Sequence, residues 1–261
     1  MKTWRYMAAI GLIAALLLAS LNPLVAGALD RNVSKRVMQS VVLLAAADTG
    51  RSGRAVVKWI GSGTIVSPDG LILTNCHVAN PKAMQDNPQH TYEKLIVSLN
   101  TRSDRPPQPT YLAEVAQFDP RLDLAVVRIV RTVDGQAVDP AKLNLPALSL
   151  GDSDEIEVGD PLHVFGFPGI GGETITLTSG SVSGFTQERG IKGRAWIKTD
   201  ASASAGNSGG AGVNDAGELV GVPTQAGSGG DRVVDCRRVA DTNEDGVIDE
   251  YDTCVPMGGF I

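Results

Sequence analysis

From Ser40 onward the apolar residues come in short runs broken by turns, with little of the period that marks a helix. Short β-branched and aliphatic runs between Gly-, Pro- and Asp-rich breaks predict strands. The runs predict strands at 41–46, 55–66, 71–75, 94–99, 111–117 and 123–130, then a second series at 161–167, 173–185, 194–199, 209–213 and 218–224. In Ser67-Pro68-Asp69-Gly70 the proline sets the first bend and the glycine takes the angle closed to other residues. Asn214-Asp215-Ala216-Gly217 is the clearest hairpin turn of the second series. The polar stretches 80–92 and 101–110 read as surface loops. Region 131–160, with Pro140, Pro146 and the acidic run from Asp152 to Glu157, reads as a connector between one lobe at about 40–130 and another at 161–261. The one competing helical period is short, near 31–39.

The amino terminus has a different pattern. Lys2 and Arg5 precede an apolar run from Met7 to Leu21, and Ala26-Gly27-Ala28 supplies a small-x-small cleavage site, so 1–28 reads as a signal peptide. The run is short for a membrane span. The expectation is export to the periplasm or beyond, with no stable span after the signal is removed. Residues 29–261 suffice for one large domain or two fused lobes. A net charge of −6, more negative once Lys2 and Arg5 leave, argues against nucleic acid as a partner. Three cysteines in an oxidising compartment predict one disulfide and one free thiol.

The candidate chemistry centres on Thr199-Asp200-Ala201-Ser202-Ala203-Ser204-Ala205-Gly206-Asn207-Ser208-Gly209-Gly210. Small residues and three glycines predict a tight loop that presents Ser208. A serine hydroxyl needs a base to take its proton and donors to hold an oxyanion. Thr74-Asn75-Cys76-His77, at the end of a predicted hairpin, offers the base, and Asp123, which opens Asp123-Leu124-Ala125, offers a carboxylate to orient it. Asp119 is the rival carboxylate, although Pro120 after it marks a turn. His90 and His163 lack such company and read as structural. Cys76 reads as a small buried hydrophobe.

The order His, Asp, Ser, in Thr-Asn-Cys-His, Asp-Leu-Ala and Gly-Asn-Ser-Gly-Gly, resembles the trypsin-like serine peptidases, and in particular their bacterial HtrA/Deg branch. The resemblance implies an all-β fold of two six-stranded antiparallel β-barrels with the site in the cleft between them. It implies a secreted serine endopeptidase acting on proteins or peptides, with a His77, Asp123, Ser208 triad, an oxyanion hole at the Gly206 and Ser208 N–H groups, and no cofactor for catalysis. Ser202 would fall at the base of the primary pocket, and Thr224, Gln225 and Ala226 would line its wall, Thr224 also lending a carbonyl to the substrate backbone. With no carboxylate there, a small or medium apolar side chain is expected before the cleaved bond. Asn207 is neutral, as in the HtrA/Deg branch, so activation by insertion of a new amino terminus is not expected. The PDZ domain usual in that branch has no counterpart in the sequence.

A second motif follows. Asp241, Asn243, Asp245, Asp249 and Asp252 place oxygen side chains at positions 1, 3, 5, 9 and 12 of a loop with Gly246 at position 6, and Val247 would add its carbonyl. The pattern resembles the thrombospondin type 3, dockerin and EF-hand-like calcium loops, and implies a structural Ca²⁺. Asp252 stands where such loops carry glutamate. Cys236 and Cys254 bracket this insertion and are the expected disulfide, after which Val255 to Ile261 returns as a last strand. The alternative function is a secreted, calcium-dependent binding protein that keeps the peptidase fold without turnover.

Overall fold

A computed structural model describes residues 29–84, 89–169 and 174–224, together with the backbone of the short strands 236–237, 255–256 and 259–260. Six strands make the first lobe: β1 (Val41–Thr49), β2 (Ala55–Ser67), β3 (Leu71–Asn75), β4 (Lys94–Leu99), β5 (Gln108–Asp119) and β6 (Leu124–Thr132). They close into an antiparallel barrel in the order β1-β2-β3-β6-β5-β4, which leaves no free sheet edge around the ring. Alternation fills it: Leu95 and Val97 on β4, and Ala125, Val127 and Ile129 on β6, all point into one core with Val42, Leu44, Ile65 and Ile72.

The second lobe is a six-stranded sheet of β7 (Pro161–Gly166), β8 (Thr176–Thr186), β9 (Trp196–Thr199), β10 (Ala211–Val213), β11 (Leu219–Gly221) and β14 (Gly259–Phe260), in the order β11-β10-β7-β8-β9-β14. The fold is therefore all-β with two six-stranded units, the chymotrypsin-like arrangement. Leu162, Val164, Val182, Ile197 and Ala201 form one buried cluster of this lobe. Phe165, Phe167, Ala211 and Val213 form another, against which Leu43, Val66 and Leu73 of the barrel pack, so this cluster joins the halves. The remaining pair, β12 (Cys236–Arg237) and β13 (Val255–Pro256), is antiparallel, with Cys236 opposite Pro256.

Helix α1 (Arg31–Ser40) is capped by Asp30, whose carboxylate accepts from Asn32 N and Val33 N at 2.8 and 3.1 Å. Its Val37 is buried with the second cluster, and Arg36 Nη2 donates to Ala216 O at 3.3 Å. The connector also makes contact: Leu150 forms a parallel bridge with Leu219 of β11. Two backbone bonds of 2.9 Å hold it, Leu219 N to Ser149 O and Gly151 N to Leu219 O.

Several strand ends differ from the sequence expectation. β5 starts at Gln108, inside the stretch read as loop, because Gln108 and Pro109 pair with Leu99 and Ser98 beyond a register shift in β4. An irregular register tolerates the missing proline N–H. β10 starts at Ala211 instead of 209, because Gly209 N and Gly210 N donate to Pro223 O and Asn207 O and so stay in the preceding loop. The signal segment 1–28, the calcium loop 241–252, Cys254, Gln225 and Ala226 lie outside the described residues.

Candidate active site

The site begins where β3 runs out. After Asn75 the chain turns into the short helix α2 (Cys76–Ala79), which carries His77 at the barrel rim. Asp123, immediately before β6, approaches from the neighbouring connection with φ of 51°, a left-handed angle that aspartate tolerates better than most residues. Such a conformation costs on the order of 1 kcal/mol and persists where the surroundings hold it. Here they do. The Asp123 carbonyl accepts from Cys76 N at 3.0 Å and Asn75 Nδ2 at 2.8 Å, and Oδ1 accepts from His77 N at 2.8 Å. Oδ2 meets His77 Nδ1 at 2.6 Å and takes a hydrogen bond from Thr224 Oγ1 at 2.7 Å.

An ionised carboxylate only accepts, so the neutral imidazole carries its proton on Nδ1 and leaves Nε2 as the lone-pair nitrogen. The His77 side chain is 32% exposed and that of Asp123 12%, so the pair is open to a ligand at the histidine and shielded at the carboxylate.

The serine loop is defined peptide by peptide. Ala205 O accepts from Gly169 N at 2.9 Å, Asn207 N donates to Ser204 O at 3.0 Å, and Asn207 O accepts from Gly210 N at 2.9 Å. In a trans peptide the C=O and N–H point opposite ways. Fixing Ala205 O and Asn207 O therefore directs the Gly206 N–H away from Gly169 and the Ser208 N–H away from Gly210, and among the described residues neither meets a protein acceptor. Gly206 adopts φ of 102° and Gly209 φ of 86°, both in the range that favours glycine. At Gly209 a Cβ would collide with Ser62 O and Thr74 Oγ1 and lie 3.2 Å from Asn75 N, so only glycine lets the loop close against the end of β3. That closure sets Ser208 beside the elements that carry His77. Among the described residues, neither Ser208 Oγ nor His77 Nε2 makes a protein hydrogen bond.

The other candidates are placed elsewhere. Asp119 ends β5 and is held by Arg121, whose side chain reaches both carboxylate oxygens, at 3.4 and 3.2 Å, and keeps its pKa below the usual value. Cys76 is fully buried, and burial, then the charges of Asp123 and Asp119, pushes its thiol up to about 11. It is protonated at neutral pH and unsuited to nucleophilic attack. His163 is buried in the second sheet between Ser179 Oγ at 2.8 Å and Asp215 Oδ1 at 2.9 Å. His90 packs edge-on against Trp59. Ser202 is exposed, and its carbonyl accepts from Thr178 Oγ1 at 2.7 Å. Two residues escaped the sequence reading in their present roles: Thr224, as a donor to Asp123, and Ser62, which reaches the serine loop from β2. The small run Gly61-Ser62-Gly63 was the signal for the latter, since flanking glycines allow close backbone approach.

A closed six-stranded barrel joined to a second six-stranded sheet, with a carboxylate-held histidine on one and a glycine-bracketed serine on the other, defines the chymotrypsin-like class. The chain belongs to the trypsin-like peptidase domain family, which matches residues 61–222, and is homologous to the HtrA/DegP serine proteases. It is 36% identical over 172 residues to a probable periplasmic serine endoprotease DegP-like of Chlamydia pneumoniae, covering 65% of this chain and 30% of that protein. It is also 36% identical over 199 residues to serine protease PepD of Mycobacterium tuberculosis, covering 73% and 37% respectively. Among solved structures it resembles HtrA-type protease AlgW with tripeptide, with a TM-score of 0.56 and 28% identity over 88% of this chain and 57% of that one. The chain thus spans 30 to 37% of the length of these two curated relatives.

Proposed function

We propose that the protein is an exported serine endopeptidase that hydrolyses peptide bonds in proteins or peptides. The observation that carries this reading is the 2.6 Å contact of His77 Nδ1 with Asp123 Oδ2, which leaves Nε2 as the lone-pair nitrogen, free to act as a base. Ser208 Oγ attacks the scissile carbonyl while His77 Nε2 takes its proton. The carbonyl oxygen, now negative, is met by the N–H groups of Gly206 and Ser208. His77 then protonates the leaving amine, and water, activated by the same nitrogen, releases the acyl group from Ser208. Asp123 holds the tautomer and stabilises the imidazolium throughout. The relatives' names as serine endoproteases support the activity, and the periplasmic ones, with the leader-like 1–28, support export. Ser202 and the lack of acidic residues in 201–210 and 221–227 favour small or medium apolar side chains before the cleaved bond. The spacing of oxygen donors in 241–252 supports a structural Ca²⁺ there, and the bracketing positions of Cys236 and Cys254 support a disulfide.

The test is covalent labelling with a fluorophosphonate, which needs an activated serine. Label should map to Ser208 and vanish in Ser208→Ala and His77→Ala. No label on the wild-type protein, or label that persists in Ser208→Ala, removes the peptidase reading.

A further inference from the structure

Ser62 lies on β2 in the first barrel and is fully buried, yet most of its polar groups are turned to the other lobe. Its N–H donates to Ser208 O at 2.7 Å. Its hydroxyl donates to Gly206 O at 2.6 Å and accepts from Phe167 N, just beyond β7, at 2.9 Å. Its own carbonyl accepts from Thr74 Oγ1 at 2.7 Å, which ties it back to the strand that leads to His77. One side chain therefore bridges the barrel, the end of β7 and the serine loop.

We propose that Ser62 is a positioning residue for the oxyanion hole, an inference that rests on the peptidase reading above. The two candidate donors, Gly206 N–H and Ser208 N–H, belong to the peptides Ala205–Gly206 and Asn207–Ser208. Between them lies the peptide Gly206–Asn207. Its N–H is held by Ser204 O, and its carbonyl is held by the Ser62 hydroxyl. Gly206, at φ of 102°, is the loop's conformationally freest residue, so this plane is held against rotation by these two bonds, and the one at its carbonyl is the one that reaches the barrel. Rotation of the middle plane swings both neighbouring N–H groups. The Ser62 hydroxyl opposes it with a bond whose acceptor is buried against the barrel, and the Phe167 N–H fixes the direction in which that hydroxyl must donate. Ser62 touches neither the substrate nor the reacting atoms. It keeps donors aimed where negative charge develops, and its effect belongs to the tetrahedral intermediate.

The experiment compares wild type, Ser62→Ala and Ser62→Cys by the rate of fluorophosphonate labelling across pH, with circular dichroism of each sample to measure the folded fraction. The plateau rate for Ser62→Ala should fall about 10- to 100-fold, somewhat less than loss of a donor itself. The pH midpoint should stay that of wild type. Ser62→Cys, nearly the same size with a weak S–H donor, should recover part of the rate. Labelling of Ser62→Ala at the wild-type rate overturns the inference. So does a fall no larger than its unfolded fraction, or a moved midpoint, which would place the effect on the histidine. Wild type that fails to label at Ser208 overturns the peptidase reading and this inference together, whereas an unaffected Ser62→Ala beside a labelled wild type overturns this inference alone.

Discussion

Thr224 and Asp123 are 101 residues apart and lie on different lobes, yet the Thr224 hydroxyl donates at 2.7 Å to the same carboxylate oxygen that meets His77 Nδ1. A bond to a charged acceptor is worth about 1.5–3 kcal/mol, roughly a 10- to 100-fold effect. Thr224→Val keeps the shape and removes the donor, so kcat should fall within that range with little change in KM. Thr224→Ser should keep most of the activity. Steady-state kinetics on a peptide substrate checks both, and a Thr224→Val enzyme as fast as wild type would show that Asp123 Oδ2 needs no donor besides His77 Nδ1.

Asn207 is 4% exposed, and its Oδ1 has no protein partner among the described residues. An aspartate there would be a buried carboxylate without compensation, costing about 3 kcal/mol at neutral pH. Burial raises the folded-state pKa above the unfolded value of about 3.9. The unfolded chain then loses its proton first, so the penalty is absent at low pH and grows as pH rises toward the raised value. Melting temperatures of Asn207→Asp and wild type should nearly coincide at about pH 4 and diverge toward pH 7. A constant gap would point to lost packing instead.

Cys76, with its thiol at about 11 against an ordinary 9.0, should resist iodoacetamide at pH 8 in the folded protein and react once denatured. The linkage sign is opposite to that of a salt-bridged acid. Between 9.0 and about 11 the unfolded chain is the form that loses the proton, so stability falls as pH rises through that window. Cys76→Ala should flatten this part of the pH–stability curve. Rapid alkylation of native protein at Cys76 would contradict the burial.

Calcium should act on stability. Asp241, Asp245, Asp249 and Asp252 place four carboxylates within twelve residues of sequence, and an ion that binds only the folded form stabilises it by mass action. Millimolar Ca²⁺ should raise the melting temperature over chelator, with magnesium weaker, and Asp245→Ala should erase most of the rise. Superimposed scans with and without Ca²⁺ would leave 241–252 as a solvated acidic loop.

The strands were legible because alternation is local. Leu95 and Val97, or Ala125, Val127 and Ile129, announce an inward face within one run. His77 and Asp123 could be singled out by the short motifs around them, and the structure puts the two side chains in contact. What could not be read were bonds joining distant segments through single polar groups. Nothing near Thr224 marks it as a donor to Asp123, and Ser62 meets Gly206 across 144 residues. The start of β10 was missed for a related reason: Gly209 and Gly210 fit a strand by position, but their N–H groups serve the turn.

The connector acquires a second meaning from its contact with β11. That strand is the last in its sheet, and a sheet's last strand offers a row of unpaired amides and carbonyls to any passing chain. Leu150 occupies this position opposite Leu219, with Ser149 and Gly151 supplying the backbone partners. A segment that the sequence offers as a spacer between lobes thus serves as a seam, covering the backbone through which two copies of this domain could otherwise add strand to strand.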